Sequence, residues 1–292
     1  MAQRAAETGP GAMGLVAMEQ IKFPRIRRVL DDDLAWSNLP FGAKAAIRIK
    51  AGPFSGDFIV RQVEKRIPGL WGSIMCRKRY IDDKVSETAE HGEVEAVVNL
   101  GAGYDTRAYR LPSLEDIKVF ELDQPDSNNR KRQRLEKLFG KVPDHVTLVP
   151  IDFDHEDLGS VLRKHGFTAK TRTFFVWEGV TQYLTEAGVR STFDFLAGAE
   201  PGSRMIFTYI RSDFLEGKNL YGLDFLHDKM VHKDRIWLYG MDPDDVDGFI
   251  DGYGWSVLER PGYEELAERY VRPTGRELKT MPVERLVYAV RR

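Results

Sequence analysis

The segment VVNLGAGYDTR, residues 97–107, runs an apolar stretch into two glycines separated by one residue. Without Cβ atoms at Gly101 and Gly103, the backbone of Gly101-Ala102-Gly103 can turn sharply and approach a ligand closely. A turn at the carboxyl end of a strand is where open α/β sheets bind small molecules. A dinucleotide loop would place a third glycine at the position of Thr106, so a pyrophosphate is a poor match. Asp105 beside the turn suits a cationic ligand end. Glu121 and Asp123, about 20 residues further on, suit the hydroxyls of a ribose. A nucleoside carrying a sulfonium and an amino-acid tail, S-adenosylmethionine, fits this combination better than NAD.

These residues need a sheet to hold them. Apolar strand-like segments at 94–100, 117–122, 145–151, 173–177 and 204–210 alternate with helical patterns at 126–139, 157–165 and 186–199. That alternation predicts an α/β fold with a parallel, doubly wound sheet. Ahead of it, residues 21–92 show helical spacing broken by Pro40, Pro53 and Pro68, a helical preface to a cofactor-binding core at 93–210. Residues 211–240 mix Gly, Asp, His and aromatics over a length unusual for a simple connection, which predicts a lid-like insertion. A helix at 243–253 and strands at 254–259 and 283–290 complete the sheet within 241–292. The first 20 residues hold no continuous apolar stretch and are expected to be a disordered arm, leaving one domain over 21–292.

The chain has 292 residues, a formal charge of −2 and a pI near 6.3. No global field therefore favours nucleic acid or an anionic membrane. The single cysteine, Cys76, excludes a disulfide framework and an all-cysteine metal site. With no spanning segment and no leader pattern, a cytoplasmic location is expected.

Five further segments narrow the reading: Arg77 with Arg79-Tyr80-Ile81-Asp82, NLGAGYDTRAYRL at 99–111, FELDQP at 120–125, PIDF at 150–153 and WEGVTQYL at 177–184, followed by Gly254-Trp255. In this order the chain resembles the leucine carboxyl methyltransferase family, including a bacterial branch related to the polyketide O-methyltransferase of tetracenomycin synthesis. The resemblance implies a class I, Rossmann-like methyltransferase sheet with an antiparallel last strand, S-adenosyl-L-methionine as cofactor and an oxygen acceptor. It carries Gly101 and Gly103 over as the cofactor turn, Asp123 to the ribose, Asp152 and Phe153 to the adenine, Glu178 to the edge of strand four and Arg77 to the cofactor carboxylate. The chemistry agrees: ionised carboxylates offer only acceptors, Phe153 can cover a ring, and the planar fork of Arg77 matches a carboxylate bidentately. Arg79 is the alternative to Arg77, and helix capping is an alternative job for Asp105.

The basic run RKRQRLEK at 130–137 reads as the solvated face of a helix. His227 and His232 are five apart and do not share a face as i, i+4 ligands would, so no metal is expected. Both fall in the insertion and are candidate bases, while Tyr183 is a candidate for orienting the acceptor. A carboxylate acceptor, with a pKa near 4, needs no base, whereas a phenol near 10 must be deprotonated. The expected activity is O-methylation of a small molecule, carboxyl oxygen favoured over phenolic or hydroxyl oxygen. The alternatives are carboxyl methylation of a protein C-terminus and a regulatory protein that binds the cofactor without turnover. An NAD-dependent dehydrogenase is disfavoured by the missing third glycine.

Overall fold

The computed structural model describes residues 9–39, 41–50, 56–153 and 155–292. Seven strands form one continuous sheet: β1 (Ala96–Leu100), β2 (Lys118–Asp123), β3 (Val146–Pro150), β4 (Thr173–Trp177), β5 (Arg204–Arg211), β7 (Trp255–Glu259) and β8 (Glu284–Arg291). Their order is β3-β2-β1-β4-β5-β8-β7. The first five are parallel, while β8 runs antiparallel to both β5 and β7. This is the doubly wound sheet with an antiparallel last strand that the sequence implies. A two-residue strand, β6 (Gly240–Met241), adds to the end of β5 through Ile210 and Arg211.

The strands read as nearly unbroken apolar runs because both faces are covered. Successive side chains alternate between two cores. Val97, Val119, Phe174, Val176 and Ile206 face the first core, whereas Val98, Phe120, Phe175, Trp177 and Phe207 face the second. The long helix α5 (Leu70–Glu90) packs on the first face with α13 (Tyr263–Tyr270), contributing Trp71, Met75, Tyr80 and Leu266. The second face is covered by α8 (Leu158–Lys164), α9 (Glu186–Leu196) and α12 (Val246–Asp251). Local signals set the ends of these helices. Asp157 accepts from the Ser160 N–H at 2.7 Å, Thr185 accepts from the Gly188 N–H at 3.2 Å, and Pro125 opens α7 (Pro125–Phe139).

The helical preface contains α2 (Ala35–Asn38), α3 (Phe41–Lys50) and α4 (Gly56–Arg66) ahead of α5. The expected arm needs correcting from residue 9 onward; residues 1–8 lie outside the described residues. Gly9–Lys22 is a helix, α1, in which Met13 through Glu19 are buried. Burial all round the helix leaves no polar face, so its sequence shows no 3.6-residue periodicity to read. The carboxylate of Glu19, fully buried, accepts from Trp71 Nε1 (2.8 Å) and the Val29 N–H (2.9 Å) and pairs with Arg276. These contacts tie α1 to the body of the domain.

Residues 211–240 contain α10 (Ser212–Leu215), α11 (Asp224–His227) and a π-helical turn at Asp228–Lys233. The segment leaves from the end of β5 and, through the β5–β6 pairing, returns to it.

Candidate active site

A cavity of about 990 Å³ opens at the carboxyl ends of β1, β2 and β4. The turn after β1 forms its floor. Gly101 (φ +76°) and Gly103 (φ +37°) both occupy the left-handed region, and a Cβ on Gly101 would come within 2.5 Å of Val180. The Gly101 and Ala102 N–H groups donate back to the Leu122 carbonyl (2.9 and 2.8 Å), locking the turn to β2. Asp123, at the end of β2, accepts from the Gly103 N–H (2.6 Å) and the Gln124 N–H (2.7 Å). Burial pushes its carboxyl above the ordinary Asp range, only partly offset by those two donors.

A buried charge network forms the wall beside the turn. Glu178, one residue past β4, accepts from Arg77 Nε (2.8 Å) and Arg107 Nη1 (2.7 Å) and lies 3.3 Å from Lys78 Nζ. Burial would raise its pKa, but Lys78, Arg107 and Arg77 outweigh burial and hold it well below the carboxylate range. Arg77 Nη1 donates to both oxygens of Glu284 (2.7 and 2.6 Å). With Nε and Nη1 engaged, Nη2 remains without a hydrogen-bond partner among the described residues and lies beside Gly179. Arg107 also donates to Asp82 (2.6 Å), which pairs in turn with Arg110 (2.7 Å).

Of the residues singled out in the sequence, Arg77, Gly101, Ala102, Gly103, Asp105, Asp123, Phe153, Glu178 and Tyr183 line the cavity. Arg79 does not: it is part-exposed and paired with Asp83. The Asp105 carboxylate accepts from the backbone N–H and guanidinium of Arg107. It lies one residue before the N-cap position, Thr106, of the short helix Arg107–Arg110.

Four residues are placed otherwise. Glu121 lies off the cavity wall, fully buried, where Lys131 Nζ (2.8 Å) and the Tyr109 hydroxyl take up its carboxylate. Asp152 turns its carboxylate to the His155 ring (2.9 Å) rather than to the cavity. His227 is buried with its ring against Phe214 and its Nε2 facing the Leu215 carbonyl (3.3 Å), and His232 is exposed; neither lines the cavity. The π-turn also alters their relation. An i→i+5 turn brings the two rings to 4.9 Å, an adjacency that 3.6-residue spacing does not provide. Among the described residues no group of three or more His, Cys, Asp or Glu could hold a metal ion.

Sequence reasoning missed several wall residues. Ala12, Met13 and Leu15 of α1 lie over the cavity. Glu284 could be found only once β8 was known to begin beside Arg77. From the insertion, Leu226, Met230, Ile236 and Trp237 join Ile67, Ile74 and Met281 in an apolar part of the wall.

The strand order, the antiparallel β8 and a ligand cavity at the carboxyl ends of the strands define a class I, Rossmann-like methyltransferase that uses S-adenosyl-L-methionine. The profile of the leucine carboxyl methyltransferase family matches residues 14–197, and the chain belongs to that family. A relative from Mycolicibacterium gilvum, named as an S-adenosyl-L-methionine-dependent methyltransferase, is 31% identical over 236 residues, covering 77% of this chain and 74% of its own. One of the same name from Mycobacterium marinum is 30% identical over 87% of this chain and 84% of its own. Among solved structures, a DUF574 family protein from Streptomyces avermitilis shares the fold at 10% identity, with a TM-score of 0.59 over 84% of this chain and 95% of that one. Among the described residues, no helix is long and apolar enough to cross a membrane.

Proposed function

We propose that the protein transfers the cofactor's methyl group to an oxygen of a small molecule, a carboxyl oxygen in preference to a phenolic or hydroxyl one. The observation that carries this reading is the lack of an available base at the cavity wall among the described residues. His227 and His232 lie off the wall, and the wall's carboxylates are engaged: Glu178 among three cations, Asp105 by Arg107, Glu284 by Arg77, Asp123 by two backbone N–H groups and Asp234 by Lys229 at 2.6 Å. A carboxylate acceptor is already ionised at neutral pH and needs no base.

The donor set fits the cofactor. Asp123 presents an acceptor-only group suited to ribose hydroxyls, Phe153 an apolar face suited to adenine, and Arg77 Nη2 two N–H donors suited to the carboxylate of the amino-acid tail. Arg77 would then hold that carboxylate end-on through one nitrogen rather than through its fork. The bound cofactor supplies a methyl already activated on a sulfonium. What remains for the chain is to hold the acceptor in line and exclude water, an effect that can contribute roughly 7–11 kcal/mol. Tyr183, which lines the cavity, is the candidate for orienting the acceptor, and the apolar wall formed by Ile67, Ile74, Met230, Ile236 and Trp237 suits a hydrocarbon or aromatic body.

The test is a pH profile of turnover, followed by S-adenosylhomocysteine release, on an acceptor found by screening acids and phenols. Turnover should stay level from about pH 6 to 8, because a carboxylate acceptor and Glu178 are both ionised throughout. A rise through this range, confined to phenols, contradicts the carboxyl preference.

A further inference from the structure

The basic run 130–137 is not simply a solvated face. Lys131 turns inward to Glu121, whereas Arg130 and Arg134, one helical turn apart on α7, both line the cavity next to Asp123, Gln124 and Ser127. The Arg134 guanidinium lies 4.5 Å from the centroid of the Tyr104 ring, itself held against the first residue of α1. Its Nε is buried with no hydrogen-bond partner, and no carboxylate among the described residues pairs with it. Arg130 donates to Ser127 Oγ (3.2 Å) and likewise has no carboxylate partner among them. Burial draws the pKa of Arg134 below the ordinary arginine value, a direction opposite to that of the carboxylate-paired Arg77, Arg107 and Arg110.

Arg134 is half-buried and Arg130 exposed; the charge of Asp123 acts on both, but it forms no ion pair with either. Two guanidiniums on one helix face, opening into a ligand cavity and without a carboxylate ion pair among the described residues, form an anion clamp. We propose that Arg130 and Arg134 form a phosphate-binding subsite at the ribose end of the cavity. The subsite takes either free phosphate or the phosphate of an adenosine phosphorylated on its ribose. The location at the ribose end rests on the assignment of Asp123 to the ribose; the clamp itself does not.

Three titrations separate the possibilities, each in the full-length protein: inorganic phosphate alone, adenosine 3′-monophosphate against adenosine, and S-adenosylhomocysteine. We expect phosphate to raise the Tm of the wild type, or adenosine 3′-monophosphate to bind at least tenfold more tightly than adenosine. Either advantage should vanish in the Arg130→Gln, Arg134→Gln double variant. Phosphate binding that persists beside S-adenosylhomocysteine identifies the free anion as ligand, and a nucleotide that competes with S-adenosylhomocysteine identifies the ribose phosphate. Arg134→Lys should retain part of the phosphate response. A wild type that responds to neither probe overturns the subsite, and tight S-adenosylhomocysteine binding in the same protein would leave the cofactor reading standing. Loss of Tm in Arg134→Gln with the phosphate response intact also overturns it, because the arginine would then serve only to pack on Tyr104.

Discussion

Asp123 carries a cost that the proposed ribose contact explains. Its carboxyl titrates above the ordinary Asp range because it is buried, so folding favours the protonated form. At neutral pH the ionised group therefore subtracts from stability, and the loss is relieved as pH falls through the raised value. Asp123→Asn, which removes the charge and sets an amide N–H against one of the two backbone donors, should weaken S-adenosylhomocysteine by roughly 1–3 kcal/mol, measured by calorimetry. Wild-type affinity should fall on acidification at a pH above the usual Asp value of about 3.9, and the Asn variant should lack that dependence. Unchanged affinity would remove the ribose assignment. Arg77→Lys keeps a charge but leaves Glu178 and Glu284 without their shared guanidinium, so it should weaken S-adenosylhomocysteine and lower the Tm together. A neutral result would place the cofactor carboxylate elsewhere. Gly101, Gly103 and Asp123 were legible in the sequence because their residue types and spacing answer a backbone requirement at one strand end. Glu121 was not distinguishable from Asp123 by type; only the inward turn of Lys131 and Tyr109 shows that its carboxylate is already engaged.

At the scale of elements, parallel strands announce themselves as apolar runs, and their boundaries in the sequence fall within a few residues of those observed. Two elements escaped that logic. Helix α1 is buried on all sides and lacks the amphipathic signature, and the π-turn at 228–233 follows a period that helical spacing does not anticipate. Glu19 fixes α1 from within a fully buried position, so Glu19→Ala, which strands Arg276, should cost about 3–5 kcal/mol in urea unfolding. A loss below 1 kcal/mol would mean that α1 is not held by this contact. The insertion gives a second prediction. Tyr221 (φ 51°) and Arg235 (φ 52°) hold non-glycine backbone in the left-handed region on either side of the π-turn, and Met230, Ile236 and Trp237 reach the cavity. We expect the segment to act as a cover, with amide exchange over 222–236 slowing when S-adenosylhomocysteine and an acceptor are bound. Equal exchange in the two states would make it a passive part of the wall.

Over the whole molecule, the parts divide by task. The sheet's strand order fixes where a cavity can form, the turn after β1 and the end of β2 meet one half of it, and α1, α4, α5 and the insertion close the other half with apolar side chains. The first half was legible because a common cofactor imposes a common pattern of residues. The second was not, because its walls come from segments far apart in the chain that meet only in the fold, and an apolar wall leaves no motif. The acceptor's reacting atom is therefore the point on which the account turns. The most direct measurement uses S-adenosylmethionine labelled in its methyl group, a panel of apolar acids and phenols, and mild alkali applied to the labelled product. Transfer to a carboxyl oxygen gives an ester, so the label should appear as volatile methanol; label retained in an alkali-stable ether would contradict it.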